Sequence, residues 1–182
     1  MAQEDKHLVR GILAGAAGGL VAAWVMNQFI AGPGQKLQQA VQIDHENQSQ
    51  QAHEKDGEQS GQPREDATMK TADALVNAAT GGRHLSLDQK EKAGPVVHYT
   101  FGALMGGLYG GLAEYTSLAT TGFGTAFGSV LFSGADLIAV PALNLSESPT
   151  EQPPSALATP FAAHLVYGAT TELVRRVIRA VL

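Results

Sequence analysis

The chain contains no cysteine. That excludes disulfide scaffolds, thiolate metal sites and cysteine nucleophiles, and it leaves the redox compartment open. Charge is missing from four long stretches, residues 11–35, 93–113, 115–135 and 152–171, which hold only Gly, Ala, Thr, Ser and a few other neutral polar side chains among apolar ones. A helix on the surface of a soluble protein needs a polar face, and these stretches have none. Basic excess is also missing: the net charge of −5 offers nothing to attract a nucleic acid.

Each uncharged stretch is close to the ~20 residues needed to cross a hydrocarbon core at ~1.5 Å per residue. The expected fold is therefore an all-α polytopic membrane protein with four transmembrane helices. Span 1 falls within residues 1–31, span 2 within 95–115, span 3 within 118–141 and span 4 within 155–179. The apolar run of span 1 is longer than the roughly 7–15 residues of a signal-peptide core. Phe29 also stands where a small residue would precede a cut after Ala31, so the run reads as a retained anchor.

Between spans 1 and 2, residues 32–94 form a polar loop holding most of the charge, and Gly32-Pro33-Gly34 is expected to end the first helix. Residues 36–64 have little to bury and are expected to be flexible or frayed. From 65 to 80, Met69, Ala72, Leu75, Val76 and Ala79 recur at helical spacing, predicting an amphipathic helix against the bundle or the membrane surface. Ser86 and Gln89 form a capping-box pattern opening the next helix.

Orientation follows from lysine and arginine placement. Lys6 and Arg10 open span 1, Arg175, Arg176 and Arg179 close span 4, and the loop 146–155 has no basic residue. Four spans place both termini on one side, and this pattern makes it the cytoplasmic side. The seven basic residues of the long loop pull the other way, but at about 60 residues the loop nears the length where the rule weakens.

An internal repeat is visible. His98-Tyr99-Thr100-Phe101-Gly102-Ala103 in span 2 is echoed by His164-Leu165-Val166-Tyr167-Gly168-Ala169 in span 4, each after a proline, Pro95 or Pro160. The chain then consists of two parallel helix-pair repeats, related by a pseudo-two-fold axis along the membrane normal. Glycines at four-residue spacing, Gly11, Gly15 and Gly19, Gly102, Gly106 and Gly110, and Gly124 and Gly128, mark faces where helix backbones are expected to pack closely.

Polar residues inside a span are costly, so their positions carry information. His98, His164, Asp136 and Asn27 all fall in the outer half of the membrane, one from each span. Three readings of this cluster stay open. The side chains could be interhelical hydrogen-bonding groups, a proton-handling or pH-responsive site, or a site for a small ligand or divalent metal held by His98, His164 and Asp136. Glu114 and Glu172 read as inner-interface anchors, Glu172 with Arg175 or Arg176 in reach. Trp24 is a candidate for the outer aromatic belt, and His45, His53 and His84 read as solvated loop histidines.

No nucleophile elbow, phosphate loop or zinc-protease motif occurs, so catalysis is the least expected role, and the identity of any cofactor stays open. The function expected is that of a bundle whose outer-leaflet His/Asp cluster responds to pH or binds a small ligand or ion. A small transporter or channel, and a membrane scaffold or assembly subunit, are the rivals. The expected partner is the lipid bilayer, with a second copy or another membrane protein left open, and no nucleic acid.

The chain resembles the YagU-like family of bacterial inner-membrane proteins. The resemblance rests on the glycine-rich first span, on Gly94-Pro95-Val96-Val97-His98-Tyr99 leading to Phe101-Gly102-Ala103, and on Pro153-Pro154 followed by His164-Leu165-Val166-Tyr167. Glu172-Leu173-Val174-Arg175-Arg176 adds to it. The resemblance implies a bacterial inner (plasma) membrane and about four helices, and it carries over no catalytic residue.

Overall fold

Residues 2–41, 65–146, 150 and 154–181 are described by a computed structural model, and all regular structure among them is helical. Residues 42–64, with His45 and His53, lie outside them, so the expectation of flexibility there goes unaddressed. Four long helices make the body: α1 (Ala2–Phe29), α3 (Leu87–Tyr115), α4 (Thr125–Gly134 with the turns that follow it) and α5 (Pro154–Val181). A shorter helix, α2 (Ala67–Thr80), lies beside the first turns of α3.

Local chemistry sets the helix ends. Asp66 caps α2 by accepting from Met69 N, and left-handed Gly81 closes it with its N–H on Asn77 O. Ser86 and Gln89 form the reciprocal capping box that starts α3. Ion pairs then bind α2 to α3: Lys90 Nζ reaches Glu65 at 3.0 Å and Asp73 at 3.4 Å.

The helix of span 1 does not stop at the Gly-Pro-Gly. It passes through a π-helical turn, Ile30–Gly34, and continues over residues 35–41. In an α-helix the ring of Pro33 would collide with the carbonyl of residue 29, four positions back. The wider turn turns the Phe29 carbonyl towards Gly34 instead, where a Cβ would stand only 2.9 Å from that oxygen. Thr159 Oγ1 donates to the Gly34 carbonyl at 3.2 Å, tying this turn to α5.

Span 3 also differs from the expected single helix. It opens with a tight segment, Ser117–Gly124, broken by non-helical Thr121, Gly122 and Phe123, and the α-helix proper begins at Thr125. Gly122 and Gly124 take the left-handed backbone that such a break requires. A second π-helical turn, Ala135–Ala139, precedes Pro141, which then stands in the first turn of the short segment Val140–Ala142, where its missing N–H is not needed.

Helix α1 packs antiparallel on α3, with Gly11, Gly15 and Gly19 facing Gly110, Gly106 and Gly102. A Cβ on Gly15 would overlap the Gly106 carbonyl oxygen, and one on Gly106 would overlap that of Gly15. Helices α4 and α5 meet the same way: Gly124 lies on Gly168, and Gly128 on the His164 carbonyl. Helix α1 joins the two pairs by also packing along α5, with Gly18 against the Thr171 backbone.

The centre is small-residue and aromatic. Ala22, Ala23, Met26, Ala163 and Tyr167 form the buried cluster, with Tyr99, Phe127 and Leu131 packed against it. The large aliphatic side chains point outward instead, among them Leu13, Leu104, Leu108, Val130, Leu173 and Val177, all more than half exposed.

Candidate functional site

The polar side chains inside the bundle gather at its two ends. At one end, Glu172 on α5 is fully buried, and its carboxylate accepts from four donors. These are Tyr109 Oη at 2.8 Å, Arg175 Nε at 2.8 Å and Nη2 at 3.2 Å, and Arg176 Nε at 2.6 Å. Arg179 grips Glu114 of α3 with two parallel bonds of 2.8 and 2.9 Å. Arg176 also lies 4.8 Å from the centre of the Phe123 ring. A buried charge is tolerable when every lone pair is met, and here the fork geometry of the arginines does so.

At the opposite end lie the four residues singled out in the sequence, and they separate into two sets. Asp136 Oδ2 stands 3.1 Å from His164 Nε2. The direction of the side chains explains the meeting. Helical side chains lean towards their own N-terminus, and since α4 and α5 run antiparallel, Asp136 and His164 lean towards each other. His98 is turned instead to the backbone of α1, its Nε2 donating to Ala23 O at 3.4 Å. Asn27 reaches the Tyr99 hydroxyl at 3.5 Å. No group of three His, Cys, Asp or Glu side chains able to hold a metal ion occurs among the described residues.

The Asp136–His164 pair is chemically incomplete. His164 Nδ1 lies 2.9 Å from the Pro160 carbonyl, which can only accept, so Nδ1 carries a hydrogen. Nε2 of a neutral ring is then a lone pair, and it faces a carboxylate oxygen. Asp136 Oδ2 is buried and has no aligned hydrogen-bond donor. The 3.1 Å separation is thus an ion-pair distance without hydrogen-bond alignment. Phe132 packs beside the imidazole with ring centres 5.6 Å apart, and Phe161 lies against Phe132.

A third charged node sits outside the bundle, where α2 joins α3. Asp73 accepts from His84 Nδ1 at 2.9 Å and from Leu85 N at 2.6 Å, and pairs with Lys90. The His84 hydrogen bond, then the Leu85 amide and Lys90, hold the Asp73 carboxyl down at about 2. Lys90 is raised from its ordinary value, first by its hydrogen bond to Glu65 and also by Asp73. His84, expected to be a solvated loop residue, is thus exposed but engaged.

Sequence reasoning placed Glu172 beside the arginines but missed Tyr109, its partner from α3. Arg175 and Arg176 lie one turn away on the same helix and are legible as spacing; Tyr109 is 63 positions distant. Tyr99 beside Asn27, and Tyr167 donating to the Gly102 carbonyl at 2.6 Å, were missed for the same reason.

Among the described residues the class defined so far is all-helical, with two helical stretches long and apolar enough to cross a membrane, His7–Val41 and Ser117–Ala142. Its family is defined as well. The model of the DUF1440 family, proteins of unknown function, matches residues 77–173, over half of the chain, and the protein belongs to that family. The match takes in His98, Asp136, His164 and Glu172. No curated protein matches the chain, and no solved structure does.

Proposed function

We propose that this chain is a non-enzymatic integral membrane protein, a four-span bundle of two helix-pair repeats, whose working site is the Asp136–His164 pair acting as a proton-binding centre. One observation carries the reading. A carboxylate and an imidazole sit 3.1 Å apart between helices whose outer faces are apolar. Ionisable groups set among apolar spans mark function by default, because they are costly to keep there.

The membrane placement is supported by the inverted side-chain distribution. Only 39% and 17% of the two most apolar windows are buried within the protein. A core helix of a soluble protein would hide most of such a surface. The repeat is supported by matched places. Gly19 lies on Gly102 and Gly124 lies on Gly168, and the π turns Ile30–Gly34 and Ala135–Ala139 follow Gly19 and Gly124 at the same spacing. The YagU-like resemblance and the placement of basic residues favour a bacterial inner membrane with both termini cytoplasmic.

Two measurements test this reading. Because natural cysteine is absent, Leu143→Cys and Ala180→Cys can be labelled singly in intact cells. A membrane-impermeant maleimide should reach position 143 from outside and position 180 only after permeabilisation. Nitrogen NMR of the His164 ring in bilayers should change between about pH 5 and 9 in the natural protein and respond to Asp136→Asn. A ring signal constant over that range would end the proton-binding reading.

A scaffold role has one observation in its favour. An apolar groove of ≈ 540 Å³ between α1 and α3, floored by Ala16 and Ala103, adjoins a second of ≈ 350 Å³ that reaches Tyr115. Together they run from Pro95 to Tyr115 along α3 and from Leu8 to Leu20 along α1, a length that suits part of a transmembrane helix. Photocrosslinking from Leu104 to one discrete protein would favour it, and crosslinks to lipid alone would not.

A further inference from the structure

We propose that Asp136 and His164 share one proton, and that this proton latches the segment 135–142 onto α5. The inference rests on the proton-binding reading above and adds the number of protons held and the movement they control.

Nδ1–H of His164 is committed to the Pro160 carbonyl at 2.9 Å. With no further proton on the pair, the Nε2 lone pair would face a carboxylate oxygen at 3.1 Å. Two acceptors do not rest at that distance. The ring could turn over its tautomer, but Nδ1 would then face the Pro160 carbonyl as a second acceptor. Either way a proton-free pair gives up one of its two contacts. One added proton, on Nε2 or on the carboxyl, turns the repulsion between two acceptors into an ion pair or a shared proton and leaves Nδ1–H on the Pro160 carbonyl. It also leaves the pair with no net charge, the least costly state among apolar spans. A second proton keeps both contacts and adds a net positive charge.

Among the described residues, neighbouring groups do not take over the role. Helix α1 brings Asn27, turned to Tyr99, and its next charged residue, Lys36, is exposed. Helix α3 brings His98, turned to the Ala23 carbonyl. On α4 and α5 the pair is flanked by Phe132 and Phe161.

In this latch the moving part is the segment that carries Asp136. Up to Phe132, α4 is fixed by Gly124 and Gly128 lying on the α5 backbone and by Leu131 on the central cluster. Gly134 follows, with open space around it. Next come the π turn Ala135–Ala139 and the segment Val140–Ala142, where Ile138 and Leu143 are about two-thirds exposed. Beyond Phe132, Asp136 gives this arm its ion-pair contact with α5.

Spin labels at Leu143→Cys and Ile30→Cys, read by pulsed electron resonance on the full chain in lipid nanodiscs, test the latch. In the natural background the short-distance population should be lost as pH rises from about 5 to about 9. Asp136→Asn, whose amide donates to Nε2 without titrating, should keep the short distance throughout. Asp136→Ala should lack it throughout. A label pair at Leu108→Cys and Leu173→Cys, at the far end, should not change and so reports that each variant is folded. A short distance that persists at all pH values in both the natural protein and Asp136→Ala overturns the latch, as does opening on acidification. If the His164 ring nevertheless titrates, the proton-binding centre stands and only the movement falls. If neither changes, both fall.

Discussion

At the residue scale, the determining quantity is how close two backbones come. Gly106 and Gly15 leave no room for a side chain between α1 and α3. Gly106→Val should cost about 1–3 kcal/mol, the range of overpacking, in an unfolding titration from mixed micelles. Unchanged stability would mean that the helices part without penalty. The charged end answers to a different rule. Glu172→Ala takes from buried Arg175 its hydrogen-bonded carboxylate, leaving only the Glu114 oxygen at 3.6 Å, and should cost at most about 3–5 kcal/mol. Tyr109→Phe, which removes a single bond to a charged acceptor, should cost about 1.5–3 kcal/mol. If Tyr109→Phe proves the more damaging of the two, the carboxylate is not the hub of the network. The glycine and the carboxylate were both legible as residues of interest. The severity of each change was not, because it depends on what the opposite helix places there.

At the element scale, α2 is held to α3 by ion pairs as well as by Met69 packed on Gly94, and the charged part of its docking has a definite pH window. Asp73 lies below its ordinary value of 3.8, at about 2. Its contribution is therefore complete above 3.8 and is lost as pH falls towards 2. Lys90 is raised above 10.5, so its contribution is complete below that value and is lost as pH climbs through the raised one. Hydrogen exchange in α2, corrected for intrinsic rate, should be steady between about pH 4 and 10 and quicken on the acid side first. Asp73→Asn should bring quick exchange at neutral pH. The helix itself was visible as spacing from Met69 to Ala79. Its attachment to α3 was not, since Glu65, Asp73 and Lys90 meet only when the turn at Gly81 and Gly82 folds the two helices together.

At the scale of the whole molecule, the distribution of side chains is the reverse of a soluble protein's. Glycine, alanine, tyrosine and a glutamate fill the inside, and leucine and valine cover the outside. In lipid this arrangement is favourable, because the tails are as apolar as leucine and association depends on close packing and polar contacts. After washing with alkaline carbonate the protein should remain with the membrane pellet. Recovery in the soluble fraction would sink the membrane reading.

The sequence by itself determined where helices can form and which of their residues are costly. Those are properties of composition and spacing: uncharged runs, the capping box at Ser86, glycines four apart, and polar residues placed within the runs. It did not determine that the helix passes through Pro33, because that depends on Gly34 taking up the Phe29 carbonyl and on Thr159 arriving from α5. Nor did it decide which of the four polar residues meet. Depth along a helix is additive in sequence, but azimuth and lean are set by the partner helix. The antiparallel pairing of α4 with α5 therefore brings Asp136 to His164, while the packing of α1 on α3 turns His98 to a backbone carbonyl.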